Sequence, residues 1–110
     1  MDKIIIQGQR QLNGTVSTSG AKNSSLPLLF ATLLADGKHV FQNVPDLQDI
    51  NSTQQLLEHL GAEVYRDGKN FIVDMKTVDI KKAPYDLVRK MRASILCLGP
   101  MLARYGEAVV

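Results

Sequence analysis

The chain has 110 residues, enough for one domain with a buried core, and 45% of them are apolar, which excludes a disordered chain. A formal net charge of +2, with no Trp and three residues each of Tyr and Phe, gives no electrostatic or base-stacking case for a nucleic-acid partner or an anionic membrane. No run approaches the ~20 apolar residues of a membrane-spanning helix, Met1-Asp2-Lys3-Ile4 does not read as a signal peptide, and Cys97 stands alone, so no internal disulfide forms and a reducing compartment fits.

Lys3 to Gln7, with three successive isoleucines, reads as a strand. Residues 8–14 are polar and turn-rich, and Thr15 to Thr18 reads as a second short strand. Ser19-Gly20-Ala21-Lys22-Asn23 follows. The apolar residues after it, Leu26, Leu29, Phe30, Leu33 and Leu34, fall on one face of a helix starting near Ser24 or Ser25. Pro27 then lies in the first turn, where a missing N–H costs little. Asp36-Gly37 ends the helix.

A glycine turn therefore delivers the chain to a helix N-terminus, with free N–H groups, the positive helix pole and the Lys22 cation together. That combination suits an anion, phosphate above all. Ser, Asn and Gly before a helix are also ordinary caps, and a lysine there is often only solvated.

Lys38 to Gln42 reads as a strand closed by Asn43-Val44-Pro45. Asp49 is placed to cap a helix from Ile50 to Leu60 that buries Thr53, Leu56, Leu57 and Leu60. Gly61 stops it. Residues 62–66 and 70–74 read as a hairpin turning at Asp67-Gly68. Residues 75–83 are irregular, with Lys81-Lys82 in a solvated loop. Met91, Ile95, Leu98 and Leu102 share a helical spacing that Pro100 should kink or divide. Gly106 ends that helix, and Glu107 to Val110 begins another strand.

Two stretches echo each other, each a helix end, a glycine and a strand, with Gly37 and Gly106 standing 69 residues apart. Two partial copies suggest a repeated unit. The final Val109-Val110 lies in an apolar strand, so the chain reads as part of a longer one. His39 and His59 have no second ligand at metal spacing. Asp46 and Asp49 are explained by a loop and a cap. Neither a metal nor a cofactor is expected.

Ser19-Gly20-Ala21-Lys22-Asn23, Leu26-Pro27-Leu28-Leu29-Phe30-Ala31 and residues 43–50 resemble the UDP-N-acetylglucosamine 1-carboxyvinyltransferase family. So do Leu60-Gly61-Ala62, Ala83-Pro84-Tyr85-Asp86-Leu87-Val88, Met91-Arg92-Ala93-Ser94-Ile95 and Leu98-Gly99-Pro100. The resemblance runs the length of the chain. It implies an α/β fold, a mixed α+β repeat unit within a two-domain inside-out barrel. In that architecture residues 1–21 belong to the second domain. Residues 22–110 form the first repeat and the start of the second repeat of the first domain.

The activity the resemblance implies is transfer of enolpyruvate from phosphoenolpyruvate to the 3′-hydroxyl of UDP-N-acetylglucosamine, by addition and elimination. This is the committed step of peptidoglycan synthesis in the bacterial cytoplasm. Lys22 and Asn23 match phosphoenolpyruvate-binding positions of the family, and Arg92 matches one on the UDP-sugar side. The family's acid or nucleophile lies beyond Val110, so no catalytic residue is expected in this chain and the chain alone should be inactive. Cys97 lacks the glycine-rich loop of the family's reactive cysteine and reads as a buried hydrophobe. Gln48 stands where many members carry a basic residue.

The expected partners are the two substrates, with no nucleic acid or membrane, plus the rest of the enzyme or a second copy at open edges. Two apolar faces, one from Leu26 to Leu34 and one of Ile95, Leu98 and Leu102, are expected to line a core that later repeats close. The sibling 5-enolpyruvylshikimate-3-phosphate synthases are the alternative, but their lysine is usually followed by Ser rather than by Asn23. A non-catalytic anion-binding or assembly module is the other.

Overall fold

A computed structural model of the chain describes residues 2–78 and 82–110. Three strands carry the sheet: β1 (Gly37–Gln42), β2 (Glu63–Asp67) and β3 (Asn70–Met75). Their order is β1-β3-β2, antiparallel throughout, with Phe41 opposite Phe71 and Val64 opposite Val73. Alternation sends Phe71, Val73 and Met75 to one face, where all three are buried. Ile72 points to the other face and is still buried, because Val40 and Tyr65 lie directly across from it on the neighbouring strands.

The helices cover the first face. They are α1 (Lys22–Ala31), α2 (Gln48–His59), α3 (Tyr85–Val88) and α4 (Leu98–Tyr105). The apolar spacing of α2 is realised as read, with Thr53, Leu56, Leu57 and Leu60 all buried. Leu26, Leu29, Phe30 and Leu33 join the same core. Past Thr32 the chain tightens into a 3₁₀ turn, Thr32–Leu34, whose three-residue period leaves Leu34 exposed. The first of the two expected open faces is therefore covered within the chain itself.

The second is not, and the cause is again a 3₁₀ segment. Residues Arg92–Cys97 wind with three residues per turn, so Met91, Ser94 and Cys97 stack inward and Met101 continues the line. Ile95, Leu96 and Leu102 are left exposed. The break falls at Cys97–Leu98, not at Pro100, which sits harmlessly in the first turn of α4. Gly106 closes α4 in the left-handed conformation, φ 76°. Beyond it, among the described residues, a parallel bridge joins Val109 to Lys82 in place of the expected strand. Lys81 lies outside the described residues.

Other expectations shift more modestly. The hairpin turns on Gly68-Lys69, with Asp67 and Asn70 paired across its base. A positive φ of 60° at Gly68 leads the turn. Neither Lys3 to Gln7 nor Thr15 to Thr18 forms a strand. Ile4, Ile5, Ile6 and Val16 are exposed: the arm pairs with neither outer strand of the sheet, and β propensity alone does not make a strand. This arm is tied down only as it reaches the domain, where the Gly20 N–H donates to the Asn43 carbonyl at 3.0 Å. Asn43 itself turns the chain at φ 60°. No helix among the described residues is long and apolar enough to cross a membrane.

Candidate functional site

Gly20 sets the approach to the site. A Cβ built there would collide with the Asn43 carbonyl oxygen and lie 3.2 Å from its carbon. Only glycine lets the two backbones meet and hydrogen-bond. The chain then enters α1 at Lys22, earlier than the expected start near Ser24 or Ser25. Ala21 is the N-cap and supplies no side-chain cap. Ser24 and Ser25 turn their hydroxyls back to the Ala21 carbonyl, at 3.1 and 2.8 Å, instead of capping free amides. Pro27 is consequently in the sixth helical position, not the first turn, and the Asn23 carbonyl loses its intrahelical donor.

α2 likewise begins earlier than expected, at Gln48, with Leu47 as the N-cap. Asp49 is therefore inside the first turn and does not cap. Its carboxylate reaches across to the Lys22 ammonium at 3.0 Å. The pair is partly open, with 45% of the Lys22 side chain and 31% of the Asp49 side chain exposed. The ammonium is thus not free, as its position at a helix start suggested, but it is not sealed in a buried pair either.

Lys22, Asn23 and Asp49 form one wall of a cleft of about 360 Å³, and Lys90, Met91, Arg92 and Ala93 form the other. The three residues singled out from the sequence, Lys22, Asn23 and Arg92, thus face one space. Lys90 and Asp49 were missed as members. Lys90 shows no local signal, and the Asp49 contact joins two helices far apart in sequence. Three cations against one carboxylate, beside the open N-terminus of α1, favour an anion carrying more than one charge. Leu26 and Met91, both buried, add apolar surface to the lining. A smaller recess of about 140 Å³, bounded by Gly20, Ser25, Phe41 and Val44, carries no cation. Among the described residues no cluster of His, Cys, Asp or Glu is arranged to hold a metal. Cys97 is fully buried, and that burial pushes its thiol pKa up, away from the reactive thiolate.

Compared with known families, residues 6–110 match the family described as EPSP synthase (3-phosphoshikimate 1-carboxyvinyltransferase). The chain belongs to the EPSP synthase family. Within it, the chain is 58% identical over 107 residues to a UDP-N-acetylglucosamine 1-carboxyvinyltransferase of Bdellovibrio bacteriovorus, covering 97% of the chain and 26% of that protein. It is 56% identical over 110 residues to one of Desulfatibacillum aliphaticivorans, again 26% of that protein. Among solved structures, the enolpyruvyl transferase NikO from Streptomyces tendae superposes with a TM-score of 0.77 at 30% identity, over 92% of this chain and 24% of that one. The EPSP synthase family member described here thus spans about a quarter of the length of the curated relatives it matches. Its mixed α/β architecture is that of an enolpyruvyl transferase segment.

Proposed function

We propose that this chain supplies part of the substrate cleft of a UDP-N-acetylglucosamine enolpyruvyl transferase, one wall facing phosphoenolpyruvate and the other the UDP-sugar. The observation that carries the reading is the convergence of Lys22, Asn23 and Arg92 on one cationic cleft. Identities of 58% and 56% to relatives bearing that enzyme's name support the choice of acceptor. In the reaction, the 3′-hydroxyl of the UDP-sugar adds to C2 of the enolpyruvyl group while C3 takes a proton. Phosphate then leaves from C2 as C3 returns a proton, which restores the double bond. Charge builds on the departing phosphate. The reading assigns that charge to the Lys22 ammonium and the α1 amides, with the Asn23 amide donating beside them. Arg92, on the opposite wall, offers a planar fork for a diphosphate or sugar oxygen. The proton donor and further cations are assigned to the rest of the enzyme, as are the acceptor's remaining contacts. Residues 1–21 are assigned to its second domain, an assignment supported by an arm whose apolar residues Ile4, Ile5, Ile6, Leu12 and Val16 are all exposed. The enzyme is placed in the bacterial cytoplasm, where nucleotide-sugar precursors are made.

A chimera tests this. The matching quarter of the Bdellovibrio relative is replaced by this chain, and phosphate release is followed with phosphoenolpyruvate and either UDP-N-acetylglucosamine or shikimate 3-phosphate. Turnover with the UDP-sugar alone, lowered by about two to three orders of magnitude in Lys22→Ala, is expected. Turnover with shikimate 3-phosphate would move the assignment to the sibling enzyme. Undiminished turnover in Lys22→Ala would remove the cleft from the reaction.

A further inference from the structure

We propose that Asp49 is a positioning residue, whose carboxylate aims the Lys22 ammonium into the cleft. The proposal rests on the cleft being an anion site. Lys22 is the first residue of α1, where the helix pole repels a cation, and its four-carbon stem leaves many rotamers open. Left alone, the ammonium would swing to solvent. Asp49 sits in the first turn of α2, where the helix pole favours a carboxylate. Its own backbone is firmly held. The Asp49 carbonyl accepts the Thr53 hydroxyl at 2.8 Å, Thr53 is fully buried, and Ile50 beside it is in the core. The carboxylate thus projects from a rigid mount and holds Nζ at 3.0 Å. One carboxylate uses part of the ammonium's three donors, and the half-open geometry leaves the others to a ligand.

The proposal makes a prediction opposite in sign to simple electrostatics. The charges lining the cleft are Lys22, Lys90 and Arg92 against Asp49. Replacing Asp49 by Asn removes the only negative charge among them, so a purely electrostatic neighbour would leave phosphate bound more tightly. A positioning role makes the same variant bind more weakly.

The test uses the 110-residue chain and inorganic phosphate, followed by amide and lysine-ammonium NMR. The Lys22 ammonium should exchange its protons more slowly than the other lysines in the native chain. Asp49→Asn should abolish that slowing and weaken phosphate about three- to tenfold, and Asp49→Glu should restore most of both. A melting scan of each variant separates lost placement from lost fold. If Asp49→Asn does not fold, the native exchange rate and Asp49→Glu still decide. Equal or tighter phosphate binding in folded Asp49→Asn overturns the proposal, as does a Lys22 ammonium that exchanges like the rest. Failure of the site itself looks different: phosphate binding is then absent, or indifferent to Lys22→Ala, whatever Asp49 does.

Discussion

Gly20→Ala isolates the contact on which the cleft's entry depends. The φ of Gly20 lies outside the left-handed region, so the requirement is for space and not for backbone freedom. An alanine methyl would overlap the Asn43 carbonyl oxygen, and the two backbones must separate to admit it. Because residues 2–19 hold no part of the core, the arm moves and the domain does not. The cost is then chiefly the Gly20 N–H to Asn43 bond, about 0.5–1.5 kcal/mol. Overpacking without relief would instead cost about 1–3 kcal/mol. A loss near 1 kcal/mol lowers the midpoint of a small domain by about 4–8 °C. The assay is a thermal melt of Gly20→Ala beside Gly8→Ala, where a Cβ meets nothing within 4 Å. Hydrogen exchange of the residue-20 amide is measured on the same samples. The variant at 20 should melt lower and lose protection at that amide, and the variant at 8 should match the native chain. Equal melting and equal protection in both variants would refute the close approach.

Further outcomes follow from the core and its polar contacts. Leu56→Ala should cost about 2–5 kcal/mol in denaturant unfolding, since Leu56 is wholly buried, whereas Ile5→Ala on the exposed arm should leave the midpoint unchanged. The buried Ser94 hydroxyl has no hydrogen-bond partner among the described residues. Ser94→Ala should therefore be neutral or stabilising by up to about 1 kcal/mol, and a larger loss would reveal a partner. Asp36 should titrate below the ordinary carboxylate range, because Arg104 donates to one oxygen at 2.8 Å and the Thr77 hydroxyl to the other at 3.2 Å. A depressed carboxyl stabilises the fold above its unfolded pKa, and that contribution disappears as pH falls through the folded value. Carboxyl NMR should show the Asp36 titration moving up in Arg104→Gln, and unchanged titration would deny the link. The Cys97 thiol, raised by burial, should resist alkylation until the chain unfolds.

What could be read from the sequence was whatever depends on a periodic pattern closed by a local signal. The buried face of α2 and the β2–β3 hairpin are of this kind. The isoleucine run at Ile4 to Ile6 announced strand propensity, but the run pairs with neither outer strand of the sheet, and propensity alone does not make a strand. The last helical region was misread because Met91, Ser94 and Cys97 repeat at three, a 3₁₀ period, where a period of 3.6 singles out Ile95 and Leu98. Leu34 was assigned to the core for the same reason. Lys22, Asn23 and Arg92 were legible as a group through family resemblance, while their common cleft required the fold. The Lys22–Asp49 pair and the Gly20–Asn43 crossing were not legible at all. Both are contacts between separate elements, and the residue types involved serve equally well as caps and turns.

The central claim is that one wall of the cleft serves phosphoenolpyruvate and the other serves the UDP-sugar. Steady-state kinetics of the chimera, with each substrate varied in turn, test it most directly. Lys22→Ala should lower kcat/KM for phosphoenolpyruvate by about 10²- to 10³-fold, the usual cost of removing one charge-stabilising donor. Arg92→Ala should raise KM for UDP-N-acetylglucosamine and leave KM for phosphoenolpyruvate near native. That split is the predicted result. Native kinetics in both variants, or the two effects exchanged between the walls, would contradict the assignment.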